Sequence, residues 1–244
     1  MKILGVRYDN LQFAEAMDRT FALLDNGRRN SVFFLNLDCL YHSQKDAEYR
    51  EALAAADLVL ADGIGLRAAT AIWGGRMRAN CNGTDFSPAF FARAAAEKRS
   101  VFLLGAREGV ADEAGRRLRA RYPGLVVAGT MAGYLDNDEA AIAAVNASGA
   151  EALFVAMGAP LQEKWIRKNR ARLKPALCLG VGALFDYLSG RVPRAPRLFR
   201  AAGMEWCWRI LIEPGRMGAR YLGHDLPFLF RIFLESRKGR TDGK

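Results

Sequence analysis

Six short runs of continuously apolar or β-branched residues recur along the chain, separated by longer amphipathic stretches. The runs are Ser31–Asn36, Asp57–Ala61, Ser100–Leu104, Leu125–Ala128, Ala152–Ala156 and Ala176–Val181. None alternates polar with apolar residues, which is the pattern of strands covered on both faces. The stretches Phe13–Asn26, Tyr49–Ala55, Phe86–Lys98, Val110–Tyr122, Asp138–Ser148 and Leu161–Leu173 read as helices, with Asn137 or Asp138 placed to N-cap the fifth. Strand and helix in alternation specify an α/β fold: a doubly wound, mostly parallel sheet with right-handed crossovers.

After Gly190 this rhythm stops. Pro193, Pro196 and Pro214 punctuate the chain, the strand signals end, and helices are expected at about 198–212, 216–222 and 225–236. The reading is therefore a core over residues 1–190 and a basic, amphipathic helical appendage over 191–244. The appendage holds 12 lysines and arginines against 5 acids, and so most of the chain's net charge of +10. Trp206, Trp208, Phe228, Phe230 and Phe233 lie in the same segment. Basic residues interleaved with large apolar ones suit a membrane surface or a nucleic acid; a solvated helix face packed on the core gives the same pattern, and charge alone does not separate them.

Apolar residues make up 51% of the 244, and 25% are charged, a balance that excludes a disordered or collagen-like chain. No apolar stretch is long enough to span a bilayer, and the N-terminus lacks a secretory signal's apolar run, so a cytosolic chain is expected. The four cysteines are scattered among apolar or small neighbours, as small buried hydrophobes are, and there are only two histidines. Chemistry in such a chain rests on carboxylates, amides and arginines.

Ligands of open α/β sheets bind beyond the carboxyl ends of the strands. The polar residues there are Asn36 with Asp38, Asp62-Gly63-Ile64-Gly65, Gly105, Gly158 with Gln162-Glu163, and Gly182 with Asp186. Glycines at such positions let backbone N–H groups approach an anion, as a nucleotide or nucleotide-sugar crevice requires. Gly63-Ile64-Gly65-Leu66-Arg67-Ala68 also fits the glycine pattern of dinucleotide sites, with Asp85 about 20 residues on. However, Asp85 lies in a turn and does not end a strand, and Asp62 directly before the glycines would repel a pyrophosphate. Asp62 itself has two readings: a helix N-cap, or a general base at the crevice mouth.

These motifs converge on a family. Asn36-Leu37-Asp38, Ala61-Asp62-Gly63-Ile64-Gly65, Asn82-Gly83-Thr84-Asp85, Pro160-Leu161-Gln162-Glu163-Lys164-Trp165-Ile166, Val181-Gly182-Ala183-Leu184-Phe185-Asp186, Arg194-Ala195-Pro196 and Gly203-Met204-Glu205-Trp206 follow one another in its order. With Arg209 and Glu213-Pro214-Gly215-Arg216 through Arg220-Tyr221, they resemble the WecG/TagA/CpsF glycosyltransferases (glycosyltransferase family 26) over roughly residues 2–235.

The resemblance implies a Rossmann-like core whose C-terminal appendage touches the membrane and helps close the active site. It implies inverting transfer from a UDP-sugar (N-acetylmannosamine-type or glucose) to a polyprenyl-diphosphate-linked sugar, in polysaccharide or teichoic acid synthesis, without catalytic metal or cofactor. By motif, Asp62 is the catalytic base and Asn36 shares its pocket. Gln162 and Asp186 line the nucleotide-sugar site, and Arg209, Arg216 and Arg220 reach the donor diphosphate. Gly63, Gly105, Gly158, Glu163, Gly182 and Arg194 complete the expected substrate-binding set. Such a protein is expected as a peripheral one on the cytoplasmic face of the inner membrane, partnered by anionic lipid and not by nucleic acid, with a homo-oligomer left open. The alternatives are a non-catalytic basic membrane-binding module and a dinucleotide-dependent oxidoreductase. Two positions depart from the family pattern: Phe34 where many members have Thr, and Asn80 where many have Arg, with Arg78 nearby.

Overall fold

The structure, a computed structural model, describes residues 1–133, 137–196, 198–199, 204–215, 218 and 221–241, side chains at 209, 222 and 238–241 excepted. A two-stranded antiparallel hairpin, β1 (Lys2–Ile3) and β2 (Val6–Arg7), opens the chain. The main sheet is built from β3 (Asn30–Leu35), β4 (Leu58–Ala61), β5 (Ser100–Gly105), β6 (Val126–Met131), β7 (Ala152–Ala156) and β8 (Leu177–Gly180). All its pairings are parallel, in the order β4-β3-β8-β7-β5-β6. Each expected apolar run is one of these strands, with ends displaced by a few residues at most.

The absence of alternation has the expected cause. Val32, Phe34, Leu58, Leu60, Val101, Leu103, Phe154 and Leu179 point to one buried layer. Phe33, Leu35, Val59, Phe102, Leu104, Leu153, Val155 and Cys178 point to the other. Strand side chains project to opposite faces in turn, so a sheet buried on both sides needs apolar residues at every position. In chain order the helices are α1 (Phe13–Asp25), α2 (Leu37–Ser43), α3 (Ala47–Ala54), α4 (Gly63–Ile72), α5 (Gly83–Ala96), α6 (Val110–Arg121), α7 (Asp138–Ala147), α8 (Leu161–Asn169) and α9 (Leu184–Leu188). Buried residues of α1, α5 and α6 cover the first layer, and those of α3, α4, α7 and α8 the second. Asn137 N-caps α7, its side chain accepting from the backbone N–H groups of Glu139 and Ala140.

From β3 the chain passes to β4 on one side, then crosses to the far half of the sheet and returns through β7 to β8. β3 and β8 are therefore neighbours whose connections run to opposite sides, the switch point where such sheets open a crevice. Asn36 follows the first strand and Gly182 the second.

Beyond the core lie α10 (Glu205–Ile212), a π-helical turn (Tyr221–Asp225) and α11 (Leu226–Thr241). The helix expected at about 198–212 and that at 225–236 correspond to α10 and α11; most of 216–222 falls outside the described residues. Phe228 and Ile232 on α11 are buried with Leu66 and Ala69 of α4, so the last helix adds to the second core layer.

Candidate active site

A cleft of about 1100 Å³ opens beyond the carboxyl ends of β3, β4, β7 and β8. Of the expected site residues, Asn36, Asp62, Gly63, Gly158, Gln162 and Gly182 line it together. Trp206, Tyr221, Asp225, Leu226 and Leu229 supply a wall from the C-terminal segment. Gly105, Glu163, Asp186 and Arg194 are not part of the lining. Arg216 and Arg220 lie outside the described residues, as does the side chain of Arg209.

Asp62 follows β4 with extended backbone and occupies the N-cap position of α4. Its N–H donates to Leu35 O across 2.9 Å, which ties the ends of β3 and β4 together. An aspartate here ordinarily accepts from the helix's first free N–H groups, but the Asp62 carboxylate makes no such capping bond. Asn80 takes the task instead: its Oδ1 accepts from Gly63 N at 2.8 Å. Gly63 has φ of +86°, a left-handed turn that suits glycine. Position and side chain are thus divided: Asp62 holds the cap position, while a different residue does the capping. Asn36 does cap its helix, accepting from Cys39 N at 2.9 Å at the start of α2.

Gln162 joins two strand ends. Its Oε1 accepts from Gly158 N at 3.2 Å and from Gly182 N at 2.9 Å. Those two N–H groups are therefore already satisfied, and Gly158 and Gly182 shape the cleft floor; they do not form the open anion cradle that their glycine content led us to expect. The amide nitrogen of Gln162 donates to Glu163 Oε1 at 2.8 Å. Glu163 is only 1% exposed and faces the interior behind the floor, not the ligand space. Burial pushes its carboxyl up to about 7. Burial also pushes the thiol of Cys39, which lines the cleft, up to about 12, so it carries no thiolate near neutrality.

Gly105 serves the sheet. A Cβ added there would stand 2.5 Å from Ala156 O on the neighbouring strand. Asp186, on α9, faces Arg191 at 3.5 Å.

The remaining wall comes from the start of α5, which sequence reasoning included in the motif but not among the site residues. Asn82 caps that helix, accepting from Asp85 N at 2.8 Å and from the Thr84 hydroxyl at 2.7 Å. Arg194 reaches this turn from the far side: it pairs with Asp85, donates to Thr84 Oγ1 at 3.3 Å and lies 3.6 Å from Glu205 at the start of α10. It fastens the core to the C-terminal segment.

The two departures also find their places. Phe34 is buried edge-on against Phe86, with ring centroids 5.6 Å apart, and lies in the cleft wall. Arg78 pairs with Glu15 at 2.7 Å away from the cleft, so it does not stand in for the arginine that Asn80 replaces.

The glycine pattern of α4 has a packing explanation: a Cβ on Gly65 would come within 2.9 Å of Leu37 Cβ. A D-x-D spacing of the metal-binding type does occur, at Asp136-Asn137-Asp138. Asp136 lies outside the described residues, and Asp138 accepts from Trp165 Nε1 at 2.8 Å and from Lys168 Nζ at 2.7 Å, apart from the cleft lining.

Comparison with known proteins supplies the chemical class. An N-acetylglucosaminyldiphosphoundecaprenol N-acetyl-β-D-mannosaminyltransferase of Bacillus spizizenii is 30% identical over 204 residues, covering 84% of this chain and 79% of that protein. An enzyme of the same name from Bacillus subtilis is 29% identical over 182 residues, 75% of this chain and 71% of its own length. The profile of the glycosyl transferase WecG/TagA/CpsF family matches residues 1–242. With a parallel α/β core whose strand ends gather Asn36, Asp62 and Gln162 into one cleft, the chain belongs to the WecG/TagA/CpsF family of glycosyltransferases.

Proposed function

We propose that the chain transfers an N-acetylmannosaminyl group from its UDP-sugar to N-acetylglucosaminyl-diphosphoundecaprenol, with inversion, and that Asp62 is the base. The observation that carries this reading is the division of labour at α4: Asn80 caps the helix, and Asp62 stands in the cleft beside Asn36. Asp62 takes the proton of the acceptor hydroxyl as its oxygen forms the new bond to the anomeric carbon. The bond to the UDP oxygen breaks on the opposite face, and UDP leaves with the electron pair. Charge grows on the departing diphosphate, and arginine's fixed fork suits it; Arg209, Arg216 and Arg220 are assigned that role. Asn36 holds a substrate hydroxyl, and the floor built by Gly63, Gly158, Gln162 and Gly182 seats the nucleotide-sugar.

We assign residues 191–244 to closure of this site and to contact with anionic lipid on the cytoplasmic face of the membrane. Helix α11 is apolar on two sides. Phe228 and Ile232 face the core, whereas Leu226, Phe230, Phe233 and Leu234 are exposed at helical spacing, with Leu211 of α10 exposed as well. Arg231 and Arg237 stand among them. Such a face suits the headgroup boundary of a bilayer, and among the described residues no helix is long and apolar enough to cross one.

The test is a donor panel. Purified protein is incubated with undecaprenyl-diphosphate-GlcNAc in detergent and UDP-N-acetylmannosamine, its uronic acid or UDP-glucose, and released UDP and lipid-linked disaccharide are measured. Turnover with UDP-N-acetylmannosamine is expected to exceed the others; no disaccharide with any donor would overturn the reading.

A further inference from the structure

The described lining of the cleft holds more acids than cations. It contains Asp38, Asp62, Asp85, Glu205 and Asp225, and one cation, Arg67. Asp38 lies 3.6 Å from His42, and Asp85 and Glu205 share Arg194. Arg67, by contrast, pairs with no carboxylate among the described residues.

Its position on α4 follows from helix geometry. Residues three and four apart share a helix face, and Gly63, Ile64, Arg67 and Ala68, which all line the cleft, form such a stripe. Arg67 is one turn beyond Gly63, the residue after Asp62, and is exposed. Gly63 adds no side chain to the wall, and a Cβ built on it meets nothing within 4 Å. A strongly negative group entering beside Asp62 calls for a cation, and Arg67 is the cation of the described lining. A guanidinium answers a diphosphate with several donors in a fixed fork.

We propose that Arg67 is a diphosphate-binding residue of this cleft. The inference rests on the transferase reading above, in which two diphosphates meet here, one on the nucleotide-sugar and one on the lipid acceptor; the chemistry is shared, and the experiment separates the sources.

Wild type, Arg67→Ala, Arg67→Lys and Arg67→Glu are compared by direct titration with UDP, UMP and inorganic diphosphate, and by steady-state kinetics with the nucleotide-sugar and undecaprenyl-diphosphate-GlcNAc each varied. Circular dichroism confirms the fold of each variant, which is expected to hold because the side chain is exposed. If Arg67 meets the donor, Arg67→Ala weakens UDP about tenfold or more and UMP little, Arg67→Glu weakens UDP further, and Arg67→Lys recovers part of the loss. If it meets the acceptor, UDP binding stays at the wild-type value and KM for the lipid rises by a similar factor. Either result supports the proposal. Unchanged UDP binding together with unchanged KM for both substrates overturns it. A wild-type protein that binds UDP but transfers no sugar instead sinks the transferase reading, and the UDP-against-UMP comparison still judges Arg67.

Discussion

The side-chain amide of Gln162 donates to the Glu163 carboxylate across 2.8 Å, and neither residue is more than 4% exposed. Adjacent residues on a helix point about 100° apart, so one serves the cleft floor and the other the interior behind it. The pair makes the floor sensitive to a proton that no substrate touches.

That proton sets a pH dependence of stability. Burial raises the Glu163 carboxyl from 4.5 to about 7. Between those values the folded chain retains a proton that the unfolded chain gives up, so stability falls as pH rises through this window and the loss is complete above about 7. The difference corresponds to about 3 kcal/mol. Glu163→Gln keeps an acceptor for Gln162 and cannot ionise. Urea unfolding of the variant is expected to lack the decline in stability that wild type shows between about pH 5 and 8; the same slope in both proteins would refute the assignment.

Asn80→Ala removes the acceptor for Gly63 N and is expected to cost about 1 kcal/mol of stability, with a fall in kcat as the start of α4 loosens beside Asp62. Asn80→Asp restores an acceptor but sets a second carboxylate near the first. Like charges raise one another's pKa, so its rate profile should move to higher pH with most of the lost stability recovered. If the Asp variant shows the wild-type pH profile, Asn80 and Asp62 are not neighbours in function.

Gly105→Ala probes an expectation that the fold redirected. Because its Cβ would meet Ala156 O at 2.5 Å and φ is +142°, the strands must separate or bend. Overpacking of this kind costs about 1–3 kcal/mol. Thermal unfolding should show a lowered Tm, while the folded fraction keeps the wild-type KM for the nucleotide-sugar. A raised KM at unchanged Tm would return Gly105 to the binding site.

Strands were the legible part of this chain, because a sheet buried on both faces leaves an uninterrupted apolar run wherever it passes. Helices α2, α4 and α9 were less so, since their first turns coincide with the Asn- and Gly-containing strand ends; only the N-cap reading of Asp62 pointed to the start of one of them. Within the site, motif order found Asn36, Asp62 and Gln162, but periodicity could not tell Gln162 from Glu163. Nor could it pair Arg194 with Asp85, 109 residues apart, or show that Asn80, and not the Asp62 side chain, accepts from the first N–H of α4. Those relationships arise only when the sheet brings separate loops to one edge.

Asp62→Asn tests the assignment of the base directly, because the amide keeps the size of the side chain and loses the base. With UDP-N-acetylmannosamine and undecaprenyl-diphosphate-GlcNAc, single-turnover transfer is expected to slow by about 10²–10⁴ while UDP affinity stays within about twofold of wild type. Transfer at the wild-type rate in this variant would contradict the assignment of Asp62 as the base.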